Sequence, residues 1–261
     1  MYQTISITDH KDIRVIALFR PERRNALTQE MIAGLTAAFR AAGNDDMVSV
    51  LILTGAGEAF CSGLDLSEMQ KLATQSPEEQ REGTDRIATM MRALYECPKP
   101  TIAAVNGAAV AGGMGLATIC DFTLAVPMAR FGYPEVRIGF IPAIVSAFLV
   151  RQVGEKRAMD LLLTGRLIDA VEAQGMGLIT RVVEDGSAVE AALAFAEELL
   201  KNSPVSMRAT KELLRAQGRV QLDLELAAAA EANAEMRKTD DFAEGLAAFL
   251  EKRKPRWGKS G

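Results

Sequence analysis

Three short segments carry residue types that can do chemistry: GEAFCSGLDL at 57–66, VNGAAVAGGMGLATICD at 105–121 and ARFGYPEVRIGFIPA at 129–143. The first two share a plan. Each leaves an apolar strand-like run, passes through small residues and enters a helical pattern. Small residues let a ligand approach the backbone closely. A helix start presents unpaired N–H groups and the positive end of its dipole. Two such N–H groups aimed at one oxygen would form an oxyanion hole. Taken singly, either glycine run reads more simply as a tight turn. The third segment holds Glu135 among Phe131, Val136, Ile138 and Phe140, apolar neighbours that would raise a carboxyl pKa. From the residues alone, an ordinary ion pair with Arg137 is the plainer reading of that glutamate.

Composition excludes several other chemistries. The single histidine, His10, lies in a polar stretch, which argues against a serine triad, a multi-histidine zinc site and histidine general-base catalysis. For the same reason Cys61, which has no nearby activating base, reads as a packed small residue. Neither a P-loop nor a complete GxGxxG fingerprint is present, so no nicotinamide cofactor is expected. Among 261 residues, 30 basic and 34 acidic side chains give a net charge of −4, which speaks against a general nucleic-acid binder. Cys61, Cys97 and Cys120 form no CxxC pair, and their odd number suits a reduced, cytoplasmic setting. The opening MYQTISITDHKDIRVIALFR is too polar and charged for a signal peptide. Pro100 to Cys120 carries no charge and is long enough to span a bilayer, but Asn106 and four glycines interrupt it. It reads as a buried strand, a turn and a buried helix, so no membrane association is expected.

The elements that must position these segments follow from periodicity. Ile13–Phe19, Val48–Leu53, Thr101–Val105, Leu124–Val126 and Ile179–Val183 read as strands. Thr28 caps a helix with Met31, Ile32, Leu35, Ala38 and Phe39 at helical spacing, ended by Gly43. Further helices begin near Leu66 and run from about Pro77 to Tyr95. Strands alternating with helices predict an α/β fold with parallel pairing. From Ala188 onward four helical stretches follow with almost no strand signal. The expected division is an α/β core at 1–187 and a helical region at 188–261. The run Ala227–Ala230 suits close packing against a partner subunit, or an ordinary surface helix.

At this point the motifs resemble a known family. AFCSGLDL resembles the AF-x-A-G-A-D-L segment of the crotonase (enoyl-CoA hydratase/isomerase) superfamily. VNGAAVAGGMGLATICD and FGYPEVRIGFIPA resemble its NG-x-x-x-GGG-x-E-L-x-x-x-CD and F-x-x-PE-x-x-x-G-x-x-P segments. RPERRNAL near the start and FLEKRKPRW near the end resemble its outer motifs. The resemblance implies a spiral of ββα repeats with a C-terminal helical trimerisation region, assembled as a trimer or a dimer of trimers. It implies an acyl-CoA substrate whose coenzyme A is part of the substrate, with no separate cofactor and no metal. It implies oxyanion donors at the backbone N–H groups of Ser62 and Gly112, and Glu135 as acid–base group. CoA contacts would come from Arg24, Ala26, Leu27, Ser62, Asp65 and Leu66, with Phe249 and Lys252 reaching the CoA of a neighbouring subunit. Tyr133 would line the pocket, while Asp65 also reads as a structural cap and Asp121 as a structural aspartate.

Two departures matter. The family's hydratases use two glutamates, and the first maps to Gly115, which has no proton to give or accept. After Ile141–Pro142 many hydratases have GGTQRL, whereas this chain has AIVSAFLVRQVG. That ending resembles a single-glutamate branch with methylglutaconyl-CoA hydratase-like bacterial members. A lone carboxylate aided by an oxyanion hole can move a double bond or add water across one. The expectations are therefore a hydratase/isomerase with one catalytic glutamate, a dedicated 3,2-enoyl-CoA isomerase, or a catalytically weak CoA-binding homologue. Met69, Met90, Met91 and Met114 are candidates for an acyl tunnel, although methionines at helical spacing are more often core.

Overall fold

The computed structural model describes residues 3–72, 74–184 and 188–258. The chain opens with a hairpin, β1 (Ile5–His10) and β2 (Ile13–Leu18), and then α1 (Gln29–Asn44). Thr28 caps α1, its hydroxyl accepting from the Met31 N–H at 3.2 Å. A unit of two strands and a helical part then occurs three times. It comprises first β3 (Val50–Gly55), β4 (Ala59–Cys61), α2 (Leu66–Leu72) and α3 (Pro77–Tyr95). Next come β5 (Thr101–Val105), β6 (Ala108–Val110) and α4 (Gly112–Ile119). The third has β7 (Phe122–Ala125), β8 (Arg130–Gly132), a 3-10 turn at Pro134–Ile138 and α5 (Ala143–Thr164). There follow β9 (Leu167–Asp169), α6 (Ala170–Met176), β10 (Arg181–Val182) and α7 (Ala188–Leu199). The last helices are α8 (Pro204–Ala216), α9 (Arg219–Met236) and α10 (Asp240–Leu250).

The first strand of each unit joins a six-stranded sheet of order β1-β2-β3-β5-β7-β10, and the second joins a four-stranded sheet of order β4-β6-β8-β9. All pairings are parallel except β1 with β2 and β8 with β9. β3 and β5 are buried at every position, as VLILTG and TIAAV require of central parallel strands covered on both faces. This is the ββα spiral expected from the motifs. It carries the end of β4, the start of α4 and the turn after β8 to one side of the small sheet.

Some elements differ from the sequence reading. β1 was not anticipated, because only Ile5 of its six residues is buried and the strand is an exposed edge. α5 was also not anticipated. Ala143, Ile144, Val145, Ala147, Phe148 and Leu149 are all buried there, which erases helical amphipathicity, and Gly154 (φ 76°) breaks the helix into two. α1 continues through Gly43 to Asn44. The charge-free stretch is β5, β6 and α4, and among the described residues no helix is long and apolar enough to cross a membrane. The expected boundary at 187 lies at residues 185–187, outside the described residues. Past it, α7 and α9 supply Ala192, Ala196, Leu222 and Leu226 to the same hydrophobic core as the sheets. Asp121 ties α8 to that core, accepting from Lys211 Nζ at 2.5 Å, Arg215 Nη2 at 2.9 Å and the Thr101 N–H at 2.8 Å.

Candidate active site

A cavity of about 430 Å³ opens where the three chemistry-bearing segments meet, lined by Ser62, Gly112 and Glu135 with Leu27, Met69, Met91 and Val145. The fold brings these together by close backbone approach. A Cβ on Gly113 would sit 2.2 Å from the Cys61 carbonyl oxygen, so only glycine lets α4 start against the end of β4. A Cβ on Gly245 would sit 2.3 Å from the Ile138 carbonyl carbon, so α10 closes directly on the turn that carries Glu135.

The two expected oxyanion donors are not equivalent. Gly112 is the first residue of α4, and its N–H has no hydrogen-bond partner among the described residues. The residue before it, Ala111, holds φ 53° and ψ −126°, a region that favours glycine, which fixes the direction of that N–H at a cost in strain. The Ser62 N–H, by contrast, donates to the Arg24 carbonyl oxygen at 3.1 Å. Arg24 itself stands in the left-handed region with φ 50°.

Glu135 sits in the 3-10 turn with its Oε2 buried and without a hydrogen-bond partner among the described residues. Burial pushes its pKa up to about 7, against a small opposing effect of its own backbone N–H. Arg137 lines the cavity but makes no ion pair with it among the described residues. Ile138 and Phe140 also line the cavity, whereas Phe131 is core. The space a first glutamate would need is filled. A Cβ on Gly115 would meet Val145 Cγ1 at 2.7 Å and Met91 Cε at 3.1 Å. Val145 and Met91, rather than Met114 or Leu116, set the fit there.

The other expected contacts divide. Leu27 and Phe249 line the cavity. Phe249 does so in its own chain, because α10 folds back over the Glu135 turn, whereas the motif match placed it against a neighbour's CoA. Tyr133 is 1% exposed and does not line the cavity; it packs in the core, and burial raises its hydroxyl pKa. Asp65 caps α2, accepting from the Ser67 N–H at 2.9 Å, and pairs with Arg20 at 2.8 Å. Ala26 is buried, with its carbonyl accepting from Arg20 Nη1 at 2.7 Å. Arg24, Leu66 and Lys252 are exposed and outside the cavity wall. Cys61 is fully buried and its thiol is pushed up to about 12, the state of an inert core thiol. Met69 and Met91 line the cavity, while Met90 and Met114 are core.

Sequence reading missed Val145, Asn233 and Arg237, all in the cavity wall. The one available signal was the four-residue spacing of Asn233, in α9, and Arg237, at its C-cap, which puts them on one helical face. Asn25 was also missed. It is fully buried in the left-handed region, and its Nδ2 donates to the Ala56 and Ala59 carbonyls at 2.8 and 2.7 Å, fastening the RPERRNAL loop to β4.

Two interleaved sheets built from ββα units, with an apolar cavity between a helix start and one buried carboxyl, define a crotonase-fold enzyme. A family model described as enoyl-CoA hydratase/isomerase matches residues 8–260, and the chain belongs to that family. A Thermus thermophilus protein provisionally named an enoyl-CoA hydratase is 47% identical over 245 residues, covering 94% of this chain and 97% of its own. The short-chain-enoyl-CoA hydratase of Clostridium acetobutylicum is 36% identical over 244 residues, covering 93% and 92%. The crystal structure of an enoyl-CoA hydratase/isomerase from Xanthobacter autotrophicus Py2 superposes with a TM-score of 0.88 at 34% identity, covering 99% and 100%.

Proposed function

We propose that this enzyme takes an enoyl-CoA thioester and moves protons through Glu135 alone, with the thioester enolate held by backbone N–H groups. The observation that carries the reading is the filled space at Gly115: a side chain there would meet Val145 and Met91 already at its Cβ. The Gly112 N–H is the ready oxyanion donor, reinforced by the dipole of α4. The Ser62 N–H is spent on the Arg24 carbonyl oxygen, so the second donor is the N–H of Leu64, which lines the cavity and has no partner among the described residues. A carboxyl with a pKa of about 7 populates both forms near neutral pH, so one group can take a proton and return it. In hydration Glu135 takes a proton from the water that attacks C3 and delivers one to C2. In isomerisation it removes a proton from C2 and returns one to C4. The apolar walls around Glu135 favour this water-free route as the second reading. Neither route calls for a metal or a nicotinamide.

The test is a panel of 2-enoyl- and 3-enoyl-CoA thioesters with products read by mass spectrometry. Gain of one water marks hydration, and a shifted double bond at unchanged mass marks isomerisation. Gly115→Glu alone is expected to fail by collision with Val145. Gly115→Glu with Val145→Ala supplies the space and should raise hydration relative to isomerisation. A folded wild type that binds acyl-CoA and turns over no thioester would leave only the binding-homologue reading.

We further infer a homo-oligomer, a trimer or a dimer of trimers, through the helical region. Val205, Leu213, Leu214, Val220 and Leu224 are exposed on α8 and α9, an apolar surface that a partner subunit would cover. Light scattering that finds only monomer at micromolar concentration would overturn this.

A further inference from the structure

A half-buried cation in the cavity wall lacks a counter-ion among the described residues. Arg237, the residue at the C-cap of α9, donates through Nη1 to the Gln80 carbonyl at 2.9 Å and through Nη2 to Thr84 Oγ1 at 3.2 Å. Its Nε is buried and donates to nothing among the described residues, and no carboxylate among them lies within ion-pair distance. Other arginines of the chain with limited exposure are paired: Arg20 with Asp65, and Arg166 with Asp160 and Glu172. Removing a guanidinium from water without a partner is costly, and burial accordingly holds the Arg237 pKa below the usual arginine value. One turn earlier on the same face, Asn233 is 6% exposed, and its Oδ1 is buried without a partner. Both side chains line the cavity that holds Glu135, whose other walls are largely apolar.

Resting on the acyl-CoA reading above, we propose that Asn233 and Arg237 form a specificity pocket for a carboxylate at the far end of the acyl chain, so that the preferred substrates are CoA thioesters of dicarboxylic acids. One carboxylate oxygen accepts from the Arg237 Nε–H. The other accepts from the Asn233 amide N–H₂, which a flip of the amide brings to the position of Oδ1. Nη1 and Nη2 each already bond to α3, which holds the arginine in place and leaves the buried Nε–H without a partner. The Nε–H beside the Asn233 amide offers two donors to one planar carboxylate at the end of a largely apolar cavity. The Phe140 ring centroid lies 5.4 Å from the guanidinium carbon, a cation–π contact that further fixes Arg237.

The experiment compares two probes of equal chain length, one ending in carboxylate and one in methyl. Turnover is measured with trans-2-hexenedioyl-CoA and trans-2-hexenoyl-CoA, and binding with adipoyl-CoA and hexanoyl-CoA by calorimetry. A charge-assisted hydrogen bond predicts that the wild type prefers the carboxylate-ended probe by roughly 10- to 100-fold, expressed in KM and Kd rather than kcat. Arg237→Gln should collapse that preference, and Arg237→Lys should restore part of it. Asn233→Asp, which places a negative charge beside the pocket, should reverse it. A wild type that binds both probes equally or prefers the methyl-ended one overturns the proposal. So does an Arg237→Gln loss equal on both probes, the result expected of a CoA-phosphate or purely structural arginine. Binding preference without turnover of either enoyl probe would support the pocket and count instead against the proposed reaction.

Discussion

Asp65 and Glu135 occupy matching places in two repeats of the fold. Each follows a short strand of the small sheet, β4 or β8, and each stands at the start of a helical turn. Their surroundings oppose one another. Burial alone would raise the Asp65 pKa, but bonds from Ser67 and the Arg20 guanidinium outweigh it and hold the carboxyl below its usual range. Glu135 has no such partners, and burial leaves it at about 7. Position in the repeat places a carboxyl; the neighbouring donors decide whether it is a fixed structural charge or a proton carrier.

The largest effect should come from Glu135→Gln, which keeps size and removes proton transfer. We expect kcat to fall by roughly 10²–10⁴-fold with little change in acyl-CoA affinity. Full activity of that variant on every substrate of the wild type would remove Glu135 from the mechanism. In the wild type, hydration should rise with pH through about 7 as the carboxylate form appears, an acid limb read from kcat/KM profiles.

Stability should move in opposite senses at the two sites. The folded Glu135 pKa lies above its ordinary value of 4.5, so folding takes up a proton between these pH values. Its burial is free of charge penalty below pH 4.5 and costs most above 7, on the order of 3 kcal/mol. Glu135→Gln should therefore gain stability over the wild type at pH 8 and lose that gain by pH 4, as read from denaturant midpoints. The Asp65 pKa is depressed, so its stabilisation is present above its ordinary value of 3.8 and lost as pH falls through the folded value. Asp65→Asn should cost about 1–3 kcal/mol at pH 7 and less in acid. Equal pH dependence of the two variants would erase the contrast.

The smallest effect tests the strained entry to α4. Ala111→Gly relieves a positive φ at the residue that aims the Gly112 N–H, and should stabilise the fold by about 1 kcal/mol. A lower melting temperature for that variant would show that Ala111 stores no strain.

Local signals were enough for much of the fold. α3 is legible because Ser76 and Glu79 form a capping box and Pro77 fixes the first turn. β5 is legible as an apolar β-branched run, and the two glycine turns are legible because a strand must pass there directly into a helix. Gly115 was also visible as the missing carboxylate, since a residue type is a property of the sequence alone. Tertiary structure decided what surrounds these residues. Only packing of α5 and α3 against α4 shows that Val145 and Met91 fill the space above Gly115. Only the approach of the Arg24 loop shows that the Ser62 N–H has a partner while that of Gly112 has none. Helical spacing put Asn233 and Arg237 on one face, but the return of α9 and α10 over the Glu135 turn put that face in the cavity. Sequence fixes the donors, acceptors and charges a chain possesses; desolvation and pairing are set by atoms from distant parts of the chain, and these assigned Glu135 a proton to exchange and left Arg237 a charge to match.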